Sequence, residues 1–297
     1  MNAPANAVRG SSLEPDWSYH QSPDGVFVPR EAVAHRNEEY DEASFEVLLA
    51  MQQRHFWYRG RHRFLLHAAR SYLRGADSSV QSGIDLGGGC GGWIRYLRDR
   101  DPGLIPNLAL GDSSRLALDF AEKVIDPDMA RYQIDLLRLD WTRRWDAIFL
   151  LDVLEHIPRD ADALAQIREA LTPGGYLFVT TPALRFFWSY NDEIAEHQRR
   201  YARADFQRLA DRTGLELCYS RYFMFFLSPL LYLSRLNRKN LKNMTPEEVR
   251  QVVARTHRVP SGPMNTLLAS LFALETPLGH LLPFPWGTSI LAVFRKR

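Results

Sequence analysis

The chain has 297 residues, 45% of them hydrophobic, and its 37 Lys and Arg against 35 Asp and Glu leave a formal charge of only +2. That length fits one main domain with sizeable additions around a real core, and the near-balanced charge excludes the basic excess on which non-specific nucleic-acid binding relies. Cys90 and Cys218, far apart and without His or Cys neighbours at ligand spacing, exclude a disulfide framework and point to a reducing compartment.

Residues 1–38 are rich in Pro, Ser, Asn and Ala without a hydrophobic period, and read as a mobile or loosely docked arm. The N-terminus pairs no basic stretch with an apolar run, so no signal peptide and a cytoplasmic location are expected. From Asp41 the pattern turns helical: Phe45, Leu48 and Leu49 predict a first helix, and Phe64, Leu65, Ala68, Ala69 and Tyr72 a second. Apolar runs then alternate with helix-length segments at Gly83–Leu86, Leu108–Leu110, Arg131–Ile134, Ala147–Leu151 and Tyr176–Thr180. Such runs predict buried strands of a parallel sheet with helices on both faces, a doubly wound α/β fold. Ala163, Leu164, Ile167 and Leu171 form the apolar face of the helix before the last run, which Thr172-Pro173-Gly174-Gly175 stops.

Two more strands are predicted at Leu215–Tyr222, after a helix stopped by Gly214, and at Ser289–Phe294. The segment between them is too long for a hairpin loop. The predicted organisation is therefore an arm over 1–38, a main domain over 39–222 and 288–297, and a helical insertion or substrate lid over 223–287. Thr245-Pro246-Glu247-Glu248 is a helix start inside it. The apolar stretch from Tyr222 to Leu233 is shorter than the roughly 20 residues a spanning helix needs, so no transmembrane segment is expected. With Arg235, Arg238, Lys239 and Lys242 after it, the stretch fits peripheral contact with a membrane or a lipid-linked substrate, and equally a buried lid helix with a solvated basic end.

The most informative stretch is GIDLGGGCGGW at residues 83–93, with five glycines among positions 87–92 directly after a predicted strand. In a parallel sheet, ligands bind beyond the carboxyl ends of the strands, and glycines there let a ligand approach the backbone beside the unpaired amides of the next helix. Gly87, Gly89 and Gly92 satisfy the dinucleotide spacing G-x-G-x-x-G. Asp85, Gly87, Gly89 and Gly91 also satisfy D-x-G-x-G-x-G. An acid in this position would repel a pyrophosphate but accept from an ammonium or hydroxyls, which favours a ligand with an amino-acid moiety.

Four motifs in order, GIDLGGGCGG, LALGDSS, RWDAIFLLDVLEHIP and LTPGGYLFVTTPA, resemble those of the class I S-adenosylmethionine-dependent methyltransferases. The resemblance covers most of residues 40–225 and the final strand. HFWYRGRHRFL and EHQRRYARADFQRLADRTGLEL are similar to segments of the bacterial small-molecule members grouped as types 11, 12 and 23. It implies a Rossmann-like sheet, mostly parallel with an antiparallel final strand, and S-adenosylmethionine as cofactor. Carried over by position, it implies Asp85, Gly87, Gly88, Gly89 and Gly91 around the methionine part, and Asp112 with Ser113 at the ribose hydroxyls. Asp135 and Leu136 would border the adenine, with Asp140 as competitor if the third strand is misplaced. Leu151 and Asp152 would lie beside the sulfonium. The HFWYRGR segment would close over the cofactor, Trp57 and Tyr58 packing on it and Arg61 pairing with its carboxylate.

Methyl transfer from a sulfonium depends mostly on alignment, and a phenol, alcohol or ammonium acceptor also has to lose a proton. His156 in DVLEHIP and His197 in AEHQRRY are the candidate bases. Trp188, Tyr190 and Tyr201 are candidates for the acceptor wall, suited to a ring or an amine, and core packing explains them equally well. The reading is a methyltransferase for a small-molecule acceptor, oxygen preferred over nitrogen, with no metal. The alternatives are an NAD(P)-dependent oxidoreductase using the same glycine loop and a non-catalytic cofactor-binding partner subunit.

Overall fold

The structure is a computed structural model that describes residues 18–31, 33, 42–76, 79–235 and 258–297. A hairpin of β1 (Tyr19–Gln21) and β2 (Val26–Pro29) precedes helices α1 (Glu42–Arg54) and α2 (Phe56–Leu73). Next come β3 (Ser82–Leu86), α3 (Gly92–Arg100), β4 (Asn107–Asp112), α4 (Arg115–Ala121) and β5 (Ala130–Gln133). The second half continues through β6 (Trp145–Leu151), α5 (Asp160–Ala170), β7 (Leu171–Pro182), α6 (Tyr190–Ile194), α7 (Arg203–Thr213) and β8 (Leu215–Phe223). Helices α8 (Ser228–Arg235) and α9 (Gly262–Leu281) then lead to β9 (Ser289–Lys296).

The described strands form one nine-stranded sheet in the order β1-β2-β5-β4-β3-β6-β7-β9-β8. From β2 to β7 neighbours run parallel, while β9 lies antiparallel between β7 and β8. This is the Rossmann-like, doubly wound sheet with an antiparallel final strand that the sequence predicts. Strand β6 shows why its sequence reads as a continuous apolar run: Ala147, Phe149 and Leu151 face the core under α2 and α3, and Ile148 and Leu150 face the core under α5 and α7. Chain order reverses between β3 and β6, and the crevice a ligand uses opens there.

The N-terminal arm differs from expectation. Residues 1–17 and 34–38 lie outside the described residues, but Tyr19–Pro29 extends the sheet through β2 on β5. Ser22-Pro23-Asp24-Gly25 supplies the turn, with the Gly25 N–H donating to the Ser22 carbonyl at 2.9 Å. Val26 is buried, and Tyr19 stacks on Trp141 and meets Tyr132 edge-on. These contacts anchor a segment whose composition suggested a loose tail.

Between β8 and β9, the helix start at Thr245 and the basic residues Arg238, Lys239 and Lys242 lie outside the described residues. Helix α9 packs on α2. The Asn265 side chain accepts from the Phe56 N–H at 2.8 Å and donates to the Arg54 carbonyl at 2.7 Å, closing the α1–α2 junction. The buried Glu275 carboxylate accepts the Phe226 N–H at 3.0 Å, fixing the chain as it leaves β8. Among the described residues no helix is long and apolar enough to cross a membrane.

Candidate active site

A cavity of about 470 Å³ opens at the carboxyl ends of β3, β4 and β6, within the range usual for small-molecule sites. Its floor begins at the glycine loop. A Cβ on Gly88 would lie 2.5 Å from Asp85 Oδ2, and Gly87, at φ +70°, has room for none beside Val153. The loop thus holds bare backbone against the cavity. Asp85 is buried, and Oδ1 has no hydrogen-bond partner among the described residues. Burial pushes its carboxyl up to about 8, against the pull of Arg61 and helped by the Asp112 charge.

Asp112 ends β4 opposite the loop, its Oδ2 accepting the Gly89 N–H and its Oδ1 the Ser114 N–H, both at 2.8 Å. Asp135 follows β5 and accepts the Leu137 N–H at 2.8 Å. Both line the cavity with Ser113 and Leu136. Asp140 lies outside that lining, beside Arg138 in a neighbouring cavity that Asp135 also borders. Strand β5 ends at Gln133, so the predicted third strand is in place and Asp135, unlike Asp140, borders the 470 Å³ cavity.

Leu151 ends β6, and Asp152 turns the chain with φ +56°, a conformation that costs a non-glycine residue free energy and often marks functional sites. Asp152 Oδ2 pairs with Arg61 Nη1 and accepts Thr180 Oγ1 at 3.2 Å. Helices α1 and α2 supply the roof through Leu48, Gln52, Trp57, Tyr58 and Arg61. The Arg61 guanidinium lies 4.9 Å from the Trp57 ring centre and 5.0 Å from that of Tyr58, a cation–π arrangement that fixes it. Arg61 thus has a protein carboxylate, Asp152, where the resemblance implied that of the cofactor.

Beyond Asp152, a single turn at Leu154–His156 buries Glu155 and puts His156 on the cavity wall. Burial, with the Asp152 charge beside it, holds the Glu155 carboxyl well above the usual carboxylate range, against Arg61 and Arg200. His197 meets the His156 ring edge-on at 4.8 Å, and its Nδ1 lies 2.9 Å from Asp192 Oδ1. Burial would raise the Asp192 carboxyl, yet hydrogen bonds from His197 and Arg200 hold it well below the carboxylate range.

The cavity therefore gathers Tyr58, Arg61, Asp85, Gly87, Gly88, Gly89, Asp112, Ser113, Asp135, Leu136, Leu151, Asp152 and His156. Gly91 is not in the lining. It starts α3 with φ +77°, and a Cβ there would strike Ile125 at 2.5 Å, so close packing accounts for it. Trp188, Tyr190 and His197 also lie outside the lining. Tyr201 corrects the predicted acceptor wall: it is a core residue, stacked on Phe206 at 5.2 Å, with its hydroxyl 3.0 Å from Asp160 Oδ2. Sequence reasoning missed Gln52, one turn after Leu48 on the helix face above the loop, and Glu155, adjacent to a histidine it had singled out.

A methyltransferase-domain family model (Methyltransf_23) matches residues 51–220. No curated protein matches the chain. Among solved structures, phosphoethanolamine N-methyltransferase 2 of Haemonchus contortus, in complex with S-adenosyl-L-methionine, aligns with TM-score 0.56 and 16% identity over 91% of this chain and 61% of its own. The methyltransferase complexed with the Trm112 activator of Haloferax volcanii gives 0.53 and 16%, over 89% and 99% of the two chains. Geranyl diphosphate C-methyltransferase of Streptomyces coelicolor A3(2) gives 0.51 and 15%, over 90% and 84%. At such identities the structures share the fold. The family match spans more than half of the chain, which thus belongs to the methyltransferase-domain family, as a class I S-adenosylmethionine-dependent member.

Proposed function

We propose that this domain transfers a methyl group from S-adenosylmethionine to a small-molecule acceptor, with oxygen preferred over nitrogen as the nucleophile. The observation that carries the reading is Asp85, a buried carboxyl with an unpartnered oxygen beneath a glycine loop that leaves no room for side chains. Once ionised, that oxygen would be answered by an ammonium group, whereas it would repel the pyrophosphate of a nicotinamide dinucleotide. The other residues fit the same cofactor. Asp112 would take the ribose hydroxyls, Asp135 the adenine amine with Leu136 covering the ring, and Leu151 and Asp152 would border the sulfur.

Bound there, the cofactor supplies an electrophilic methyl group. The chain's own residues do the rest by placement. Trp57, Tyr58 and Arg61 cover the cavity and exclude water, and the Arg61–Asp152 pair fixes the wall beside the transfer point. His156 stands where an acceptor hydroxyl would sit, with His197 behind it, which supports oxygen as the preferred nucleophile.

Calorimetry with S-adenosylhomocysteine and with NAD tests the cofactor. Tight binding of the first and none of the second is expected, and the reverse would overturn the reading. Mass spectrometry of a panel of alcohols, phenols and amines incubated with S-adenosylmethionine tests the acceptor. Methylation of the amines alone would reject the oxygen preference.

A further inference from the structure

We propose that Glu155, His156 and His197 bind a divalent transition-metal ion, zinc being the best match, and that this ion holds and polarises the acceptor oxygen beside the cofactor. The inference rests on the methyltransferase reading and deepens it. One potential ligand atom from each of the three side chains lies within 4.8 Å of the others. Zinc bonds of about 2.0–2.2 Å to nitrogen and oxygen would draw these atoms closer together around the ion.

Three further observations point to a cation. Glu155 is 1% exposed and its Oε2 has no hydrogen-bond partner among the described residues, an arrangement that either a retained proton or a cation must answer. His197 is held as metal-bound histidines are held: its Nδ1 faces the buried Asp192 carboxylate, itself clamped by Arg200 at 2.7 and 2.9 Å and by the Ser189 N–H at 2.8 Å. An ionised carboxylate on Nδ1–H leaves the Nε2 lone pair for a ligand, the outer-shell arrangement that orients metal-bound imidazoles. Finally, His156 also lines the cavity, so coordination positions left open by three protein ligands would face the acceptor.

The donor set decides the kind of ion. Two imidazoles and one carboxylate suit zinc or iron better than magnesium or calcium, which prefer oxygen ligands. Three ligands with an open position are the arrangement of catalytic zinc sites. Coordination lowers the pKa of a hydroxyl. The acceptor class is then an alcohol or phenol. Its O–H proton leaves to solvent, the oxygen forms the new bond to the methyl carbon as the carbon–sulfur bond breaks, and a neutral thioether departs. The ion undergoes no redox change.

The full chain, stripped with a chelator and dialysed, is titrated with zinc chloride and then with cobalt chloride as a spectroscopic probe. About one tightly held ion per chain is expected, with a visible cobalt spectrum of nitrogen and oxygen ligation. His197→Ala and Glu155→Gln should each weaken binding more than tenfold, and Asp192→Asn, which touches no metal, about 10–100-fold. S-adenosylhomocysteine affinity, read in the same samples, reports whether each variant is folded. Should the variants not fold, X-ray absorption on the zinc-loaded wild type decides, since it must show two imidazoles and light oxygen ligands. Wild-type protein that binds S-adenosylhomocysteine but neither zinc nor cobalt would overturn the proposal, as would variants that hold zinc like the wild type. Loss of S-adenosylhomocysteine binding in the wild type is the separate signature that the underlying methyltransferase reading has failed.

Discussion

The glycine loop under the cavity and helix α2 above it border the same space, yet interactions of very different range shape them. The loop is set by near neighbours: the N–H groups of Gly87 and Gly88 donate to the Gly111 carbonyl at 2.7 and 3.3 Å on the adjacent strand, and the Gly91 N–H to Gly88 at 3.0 Å. Helix α2 is set from the far end of the chain. Asn265 caps its first turn across 209 positions, and the Phe272 ring occupies the space where a Cβ on Gly60 would stand, 1.9 Å away. The floor is a local backbone device for binding, whereas the roof is a product of tertiary packing, so damage to the two should be read out differently.

The largest expected effect comes from the contact that ties the roof to the wall, the Arg61–Asp152 pair between α2 and the turn after β6. Arg61→Ala leaves the Asp152 carboxylate without its paired cation and should cost about 3–5 kcal/mol in urea unfolding. A loss below 1 kcal/mol would show that this pair does not hold the roof to the wall. Next, Gly60→Ala drives a methyl into Phe272 and should lower stability by about 1–3 kcal/mol. Gly88→Ala should instead lower S-adenosylhomocysteine affinity at least about tenfold, or ~1.4 kcal/mol, with a smaller shift in the unfolding midpoint. If the two variants gave the same profile, the distinction between floor and roof would fail.

Asp85 sharpens the comparison through pH. The unfolded carboxyl ionises near its ordinary 3.8 while the folded one keeps its proton to about 8. The native state therefore binds more protons across that window, and stability falls as pH rises through it, levelling above about 8. Asp85→Asn should abolish this fall. Binding of an ammonium-bearing cofactor requires the ionised acid, so affinity should rise up to about tenfold per pH unit toward 8, and calorimetry in buffers of different ionisation heat should detect proton release. The smallest effect is Asn265→Ala, which removes the cap on α2 and should cost about 0.5–2 kcal/mol, seen as faster amide exchange in its first turn with the loop unchanged.

The same difference of range explains what the sequence made legible. Strand β3, the acid that ends β4, the acid after β5, and the turn after β6 are short contiguous signals, and the structure gathers Asp85, Asp112, Asp135, Asp152 and His156 around one cavity. The β1–β2 hairpin was also legible in Ser-Pro-Asp-Gly, but the surrounding composition masked it. Tyr201 could not be placed from sequence, because an aromatic beside charged residues looks the same whether it faces an acceptor or Phe206. Nor could α9's hold on α2, since Asn265 and Phe272 resemble any residues of an apolar helix until their partners are known. The Asp192–His197 contact lies only five positions apart, yet its significance depends on Glu155 and His156 arriving from another loop.

The antiparallel strand β9 carries a consequence for how this protein is made. Among the described strands β8 pairs with β9 alone, and β7 relies on it for its outer edge. Yet β9 is synthesised after β8, α8 and α9. On the ribosome the cofactor-side strands β3, β4, β5, β6 and β7 can assemble in order, while one edge of β7 stays open and β8 waits without a partner. Exposed strand edges invite pairing with other chains, so β9 acts as the closing seam of the sheet, and a nascent chain paused before it would present both open edges to its neighbours.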